Sequence, residues 1–241
     1  MERGKVISAV GLQLRELRVS VIIPLYNGER YLRQALDSVL NQSFAPFEVI
    51  VVNDGSTDGS SDILDTYGKH IVRIDQTNAG TAAARNAGVD ASVGGLLAFL
   101  DQDDYWVEDK LEKQTSILSK DSDTQIAWGL VQQFVSPELP EEFRRRYRCQ
   151  EEPVSGYLPS ALLIRRKALE KVGPFNARWK IGEWADWYAR YKQSGILSEN
   201  ISKIVTYRRI HEGNKGITMA EDRKEYISLI RENLERQRAK K

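Results

Sequence analysis

The chain has 241 residues, 41% of them hydrophobic, and 35 Lys and Arg against 34 Asp and Glu for a net charge of +1. That is room for one large domain with a real core, and the balanced charge argues against a nucleic-acid or acidic-polymer binder. The single cysteine, Cys149, excludes an internal disulfide framework and a cysteine-based zinc cluster.

No apolar run approaches the ~20 residues of a membrane span. The apolar part of residues 1–18 is too short and interrupted for a signal peptide, so a cytoplasmic protein is expected. Residues 19–25 form an apolar run without alternation, as in a strand covered on both faces. Tyr26, Asn27 and Gly28 break it. Leu32, Ala35, Leu36, Val39 and Leu40 then fall at helical spacing. A second strand over 47–52 ends in the turn-rich segment 53–59, and a helix follows over 60–67. A short strand at 71–74 and a small-residue helix at 81–91, carrying Arg85, lead to a fourth strand at 96–100.

Strands separated by helical patterns make a succession of βαβ units, hence a largely parallel sheet with right-handed crossovers. Ligands of such sheets bind at the carboxyl edge of the strands. Tyr26 and Asn27, Asp54, and Asp101 to Asp104 stand at three of those ends and should converge. Asp101, Asp103 and Asp104 repel one another, and such a cluster persists where a cation or several donors offset the repulsion. Oxygen-only ligands suit Mg²⁺ or Mn²⁺ shared with substrate phosphates. The plainer reading is a solvated acidic turn capping the next helix.

The second half is less regular. A helix is expected over 107–118, a strand over 125–134, a basic surface excursion over 137–150, a strand over 160–165 and a helix over 166–172. An aromatic-rich helix at 183–193, a last strand at 201–207 and a charged helix at 218–241 complete the chain.

Two imitations need weighing. Residues 54–59 start like an EF-hand loop with Asp65 at its last position, but a strand rather than a helix precedes them. Residues 101–105 imitate the aspartate signature of haloacid-dehalogenase-like phosphatases, with Tyr105 where Thr or Val is wanted and on the fourth strand rather than the first.

Residues 21–28 (VIIPLYNG), 51–58 (VVNDGSTD), 78–80 with 84–88 (NAG, ARNAG) and 99–104 (FLDQDD) together resemble the successive signatures of family 2 glycosyltransferases. The likeness is close over 19–111 and loose to about 216. It implies the GT-A fold: a Rossmann-like, mostly parallel sheet flanked by helices, then a variable acceptor-binding half and a C-terminal helix. It implies one domain, with a nucleotide-sugar half at 19–111, an acceptor half at 112–216 and a tail at 217–241.

Carried over by position, the resemblance implies that Pro24 and Tyr26 border the nucleotide base. Asp54 accepts a hydrogen bond from it, Arg85 lies near the nucleotide, Asp101 and Gln102 face the ribose, and Asp103 holds Mn²⁺ or Mg²⁺. His211, in 207–211 (YRRIH), is a second candidate for the metal or diphosphate, with Arg208 and Arg209 adding positive charge. The acceptor half departs from the family's acidic pair. Glu183 stands at the first position but Trp184 replaces the second, so Glu183 and Asp186, three apart, are both candidate bases. Trp179, Trp184, Trp187 and Tyr188 around them are either a sugar-stacking platform or core.

The expected activity is metal-dependent, inverting transfer from a nucleotide-diphosphate sugar, UDP-linked in preference, to a saccharide, peptide or lipid-linked acceptor, with peripheral membrane association compatible. The alternatives are a phosphohydrolase with Asp101 as nucleophile, and a binding module that lost its base when Trp184 appeared.

Overall fold

The computed structural model describes residues 16–218 and 224–238. β1 (Val19–Leu25) is buried along its whole length. Val19, Val21, Ile23 and Leu25 pack on one side of the sheet and Ile22 on the other, as strand alternation requires. With both faces covered, the strand needs apolar residues at successive positions, which is why its sequence does not alternate.

β2 (Glu48–Asn53), β3 (Val72–Asp75) and β4 (Leu96–Phe99) join β1 in the order β3-β2-β1-β4, all parallel. The crossovers are α1 (Leu32–Leu40), α2 (Ser60–Tyr67) and α3 (Thr81–Ala91). α1 lays Leu32, Ala35, Leu36 and Val39 on the face that holds Val21 and Ile23. α3 covers the other face at close range. A Cβ on Gly88 would stand 2.4 Å from Cγ2 of Ile22, so only glycine permits this approach. Pro24 is tolerated in a central strand because β4 pairs only with Val19 to Ile22, leaving no ladder partner for the N–H that Pro24 lacks.

The second half contains β5 (Tyr105–Trp106), α4 (Lys110–Lys120), β6 (Ile126–Val135), α5 (Glu141–Arg146), β7 (Val154–Ser155), a 3₁₀ turn (Pro159–Ala161), β8 (Leu162–Arg165) and α6 (Arg166–Val172). It closes with α7 (Glu183–Lys192), β9 (Ser198–Ile210), α8 (Lys215–Thr218) and α9 (Lys224–Arg238). The sheet continues from β4 through β8, β6 and β9 to β5, with β7 beside β6. β8 runs antiparallel to both β4 and β6, while β6 and β9 are parallel. The sheet is therefore mixed, its all-parallel part confined to the first four strands. This is the curled, helix-flanked α/β architecture of GT-A folds.

Leu97, Phe99, Trp128, Leu162, Ile164, Phe175 and Trp187 fill the core under α7. The expected strand at 201–207 is longer at both ends. The helix expected at 218–241 is α9, and the part of that expectation at 219–223 and 239–241 lies outside the described residues. So does most of the segment read against a signal peptide.

Candidate active site

The carboxyl ends of β1, β2 and β4 are tied together by polar bonds rather than left as loose loops. At the end of β1, Asn27 takes a left-handed φ of 49°, a conformation Asn tolerates better than most residues. Its N–H donates to Ser56 Oγ at 3.0 Å, and its Oδ1 accepts from the N–H of Thr57 at 2.8 Å. Gln102 closes on Tyr26 from the other side. Its Oε1 accepts from the N–H of Tyr26 at 2.6 Å and its Nε2 donates to the Tyr26 carbonyl at 2.9 Å. The Tyr26 ring is left 48% exposed, while Pro24 beside it is buried.

Asp54 is buried, and its carboxylate holds the following loop. Oδ1 accepts from Gln76 Nε2 at 2.7 Å and from the N–H of Ala79 at 2.8 Å, and Oδ2 accepts from the N–H of Gly80 at 2.8 Å. The EF-hand likeness ends here: Asp58 accepts from the backbone of Glu29 and Ser60, and Asp65 pairs with Arg73. Each carboxylate has a protein partner, and a strand leads into the loop.

The acidic stretch divides by environment. Asp104 is buried, with Ser160 Oγ donating to Oδ2 at 3.1 Å and the Arg209 N–H to Oδ1 at 3.0 Å. Burial, then the charges of Asp103 and Asp101, push its carboxyl well above the usual carboxylate range. Asp104 thus fastens the cluster to the 3₁₀ turn and to β9. Asp103 faces β9 and the segment after it. Its Oδ2 meets His211 Nε2 at 2.9 Å and accepts from Asn214 Nδ2 at 3.0 Å. The N–H of Gly213 donates to His211 Nδ1 at 3.2 Å, which assigns the ring proton to Nε2, donated to Asp103.

Asp101 faces the other way. Arg85 is 2% exposed and donates Nη2 to Asp101 Oδ1 at 2.6 Å and Nη1 to Glu183 Oε1 at 3.1 Å. Burial works to lower the Arg85 pKa, but the charges of Asp101 and Glu183 outweigh it and hold the guanidinium above its ordinary value. Glu183 opens α7 directly after Gly182, which takes a left-handed φ of 84° that favours glycine. Among the described residues nothing donates to Asp101 Oδ2, Asp103 Oδ1 or Glu183 Oε2, so each carboxylate that fronts the site keeps one oxygen for a ligand.

Asp186, the other candidate base, lies apart from the Arg85 bridge. It is fully buried, and both oxygens are taken: Arg190 Nε donates to Oδ2 at 2.9 Å and Arg236 Nη2 to Oδ1 at 2.7 Å. It docks α9 on α7, and its full burial keeps it from fronting the site. Arg209 is likewise engaged by the protein. Its side chain is buried against the Tyr31 and Phe134 rings and donates to the Asp103 carbonyl, Ser136 Oγ and Gln34 Oε1, so it props the loop rather than meeting a diphosphate. The aromatics are mainly core: Trp187 is fully buried and stacks on Trp184 at 5.0 Å, and Trp184 donates Nε1 to the Tyr157 carbonyl.

Sequence reading missed Ser160, Asn214 and Tyr31, whose ring lies edge-on to His211 at 4.8 Å. All three reach the site from other elements, with no local pattern to announce them.

The described residues contain no group of three or more His, Cys, Asp or Glu arranged around a cation. The donor set of Asp103 and His211 nevertheless suits a divalent ion, which would supply positive charge beside a bound diphosphate. Asp103 Oδ1 is available as it stands, whereas His211 Nε2 is engaged by Asp103 Oδ2.

The polar side chains of this α/β sheet gather at the carboxyl edge of its strands, the edge at which such sheets bind ligands. The model of glycosyl transferase family 2 matches residues 20–173. TuaG of Bacillus subtilis, named for teichuronic acid biosynthesis, is 45% identical over 109 residues, 43% of each chain. An uncharacterized glycosyltransferase of Rickettsia prowazekii is 30% identical over 223 residues, covering 88% of this chain and 70% of its own. The crystal structure of Staphylococcus aureus TarS 1–349 with UDP-GlcNAc superposes with a TM-score of 0.66 at 24% identity, over 82% of this chain and 60% of that one. The chain belongs to glycosyl transferase family 2. It matches less than half the length of TuaG. Membership removes the phosphohydrolase reading, and the engagement of Asp101 by Arg85 is at odds with a free nucleophile at that position.

Proposed function

We propose that the chain moves a sugar from a UDP-sugar to an acceptor hydroxyl with inversion at the anomeric carbon. The observation that carries this reading is the Arg85 bridge, one buried cation joining Asp101 of the first half to Glu183 of the second. The similarity to TarS, crystallised with UDP and with UDP-GlcNAc, supports the choice of base. Residues 19–111 form the nucleotide-sugar half, 112–216 the acceptor half and 217–241 a C-terminal helix and tail.

Tyr26 offers its exposed ring to the base beside Pro24. Asp54 has one lone pair beyond its loop bonds and accepts the uracil imide N–H with it. Asp101 Oδ2 meets the ribose, and Gln102 holds the Tyr26 backbone in place while bordering the same sugar. Asp103 and His211 would hold Mn²⁺ or Mg²⁺, which when bound neutralises charge on the departing diphosphate. Glu183 Oε2 takes the acceptor proton as the hydroxyl oxygen bonds to the anomeric carbon. The bond from that carbon to the diphosphate breaks, and its electron pair leaves with UDP. The acceptor is a saccharide, a peptide or a lipid-linked glycan; no described helix is long and apolar enough to cross a membrane.

Calorimetric titration of UDP, GDP and dTDP, with and without Mn²⁺, tests the reading. UDP should bind most tightly, and only with Mn²⁺. Asp103→Ala should abolish that Mn²⁺-dependent binding while melting like the wild type. Unchanged Mn²⁺-dependent affinity in the variant sinks the metal assignment, and equal affinity for the three nucleotides sinks the base assignment. Binding without turnover of any UDP-sugar would favour the inactive module.

A further inference from the structure

The C-terminal helix α9 sorts its side chains by side. Toward the body it buries Leu229, pairs Glu232 with Arg178 and Arg236 with Asp186, and turns Glu225 to accept from the N–H groups of Lys180 at 3.0 Å and Ile181 at 3.3 Å. Two of its three carboxylates are thus spent on the protein. Outward it shows an apolar stripe at three- and four-residue spacing: Ile227 is 56% exposed, Ile230 56% and Leu234 47%. Lys224, Arg231 and Arg238 recur every seven residues and form a line along the edge of that stripe. All three are exposed, and none has an ion-pair partner among the described residues. Glu235 is exposed on the far side of the line and leaves the outward surface with a net charge of +2, three cations against this one carboxylate.

An exposed apolar stripe on a single helix needs a cover, and the unpaired cations beside it select an anionic one. We propose that α9 lies on an anionic lipid surface, its three aliphatic side chains in the acyl boundary and its cations among the headgroup phosphates. The helix has 15 residues, about 22 Å at 1.5 Å each, too short to cross a bilayer and suited to lying in its plane. The attachment places the protein at a membrane through a helix that lies in its plane. It is independent of the donor and of the catalytic carboxylates.

Flotation of the full chain with vesicles tests this. Vesicles of phosphatidylcholine with about one third phosphatidylglycerol should carry the protein up, and phosphatidylcholine alone should not. Binding should fall steeply as salt is added, a readout that needs no variant. Ile230→Ser with Leu234→Ser, and separately Arg231→Ser with Arg238→Ser, should each lower the bound fraction at least about tenfold. Their melting temperature and activity on soluble substrates should match wild type, since all four side chains are exposed. Equal binding to both vesicle types, or binding to neither, overturns the proposal. So does a wild-type dimer in light scattering that Ile230→Ser with Leu234→Ser makes monomeric, which would assign the stripe to a second copy of the chain.

Discussion

At the scale of single residues, position in sequence and role in the site separate most clearly for Glu183 and Asp186. Both lie in the first turn of α7, three apart, and nothing in their spacing distinguishes them. Their partners do. Glu183 shares Arg85 with Asp101 and keeps Oε2, whereas Asp186 gives both oxygens to arginines. We expect Glu183→Gln to lower turnover by roughly 10²-fold or more, the usual result of removing a general base. Donor affinity should barely change, because Asp54, Tyr26 and Asp101 are untouched. Single-turnover rates beside equilibrium UDP binding would check this, and a parallel loss of both would show that Glu183 serves the donor site instead. The acidic cluster teaches the same lesson. The sequence showed that several donors or a cation must offset the repulsion among Asp101, Asp103 and Asp104. It could not show that Arg85, Ser160, His211 and Asn214 supply the donors, because these come from three segments far apart in the chain.

At the scale of elements, the docking of α9 rests on the Asp186 pair. Asp186→Asn leaves Arg190 and Arg236 without their counter-charge. Arg236 keeps a third of its side chain exposed, so water softens the loss. The expected cost is about 2–4 kcal/mol, a drop of several degrees in melting temperature, with turnover per folded molecule near wild type. A loss of turnover at unchanged melting temperature would return Asp186 to the candidate bases. Helices and strands bounded by glycine and carrying a continuous pattern were legible in the sequence: 19–25, 60–67, 81–91 and 166–172 match β1, α2, α3 and α6. β5 and β7 were not, since two residues carry no period. The first three residues of β9, Ser198 to Asn200, were not either. This exposed, polar stretch pairs with β6 through backbone bonds that leave no side-chain signature.

At the scale of the molecule, the unexpected feature is how the two halves are joined. β8 enters antiparallel between β4 and β6, an order no local pattern encodes, and α4 packs beneath it around a buried lysine. Lys110 Nζ donates to Gln114 Oε1 at 2.6 Å and to the Leu162 carbonyl at 3.1 Å, and lies 4.2 Å from the centre of the Trp106 ring. Gln114 in turn donates to the Ala127 and Ala161 carbonyls, so the network links α4, β6, the 3₁₀ turn and β8. Among the described residues no carboxylate pairs with Lys110, and burial alone holds its pKa well below the ordinary 10.5. The sign of the pH effect follows. Between the lowered folded value and 10.5, the unfolded chain binds a proton that the folded chain does not. Stability therefore rises with pH across that window, by up to about 1.4 kcal/mol per unit for one such group. Below the folded value both states are protonated and the contribution is flat. Lys110→Met removes the titrating group but strands the Gln114 and Leu162 oxygens, so its stability at any one pH is a poor test. The slope is a better one. Urea melts from neutral pH toward 10 should show wild-type stability gaining on the variant as pH rises. Parallel curves would mean that Lys110 keeps an ordinary pKa and is solvated in a way its buried neighbours do not suggest.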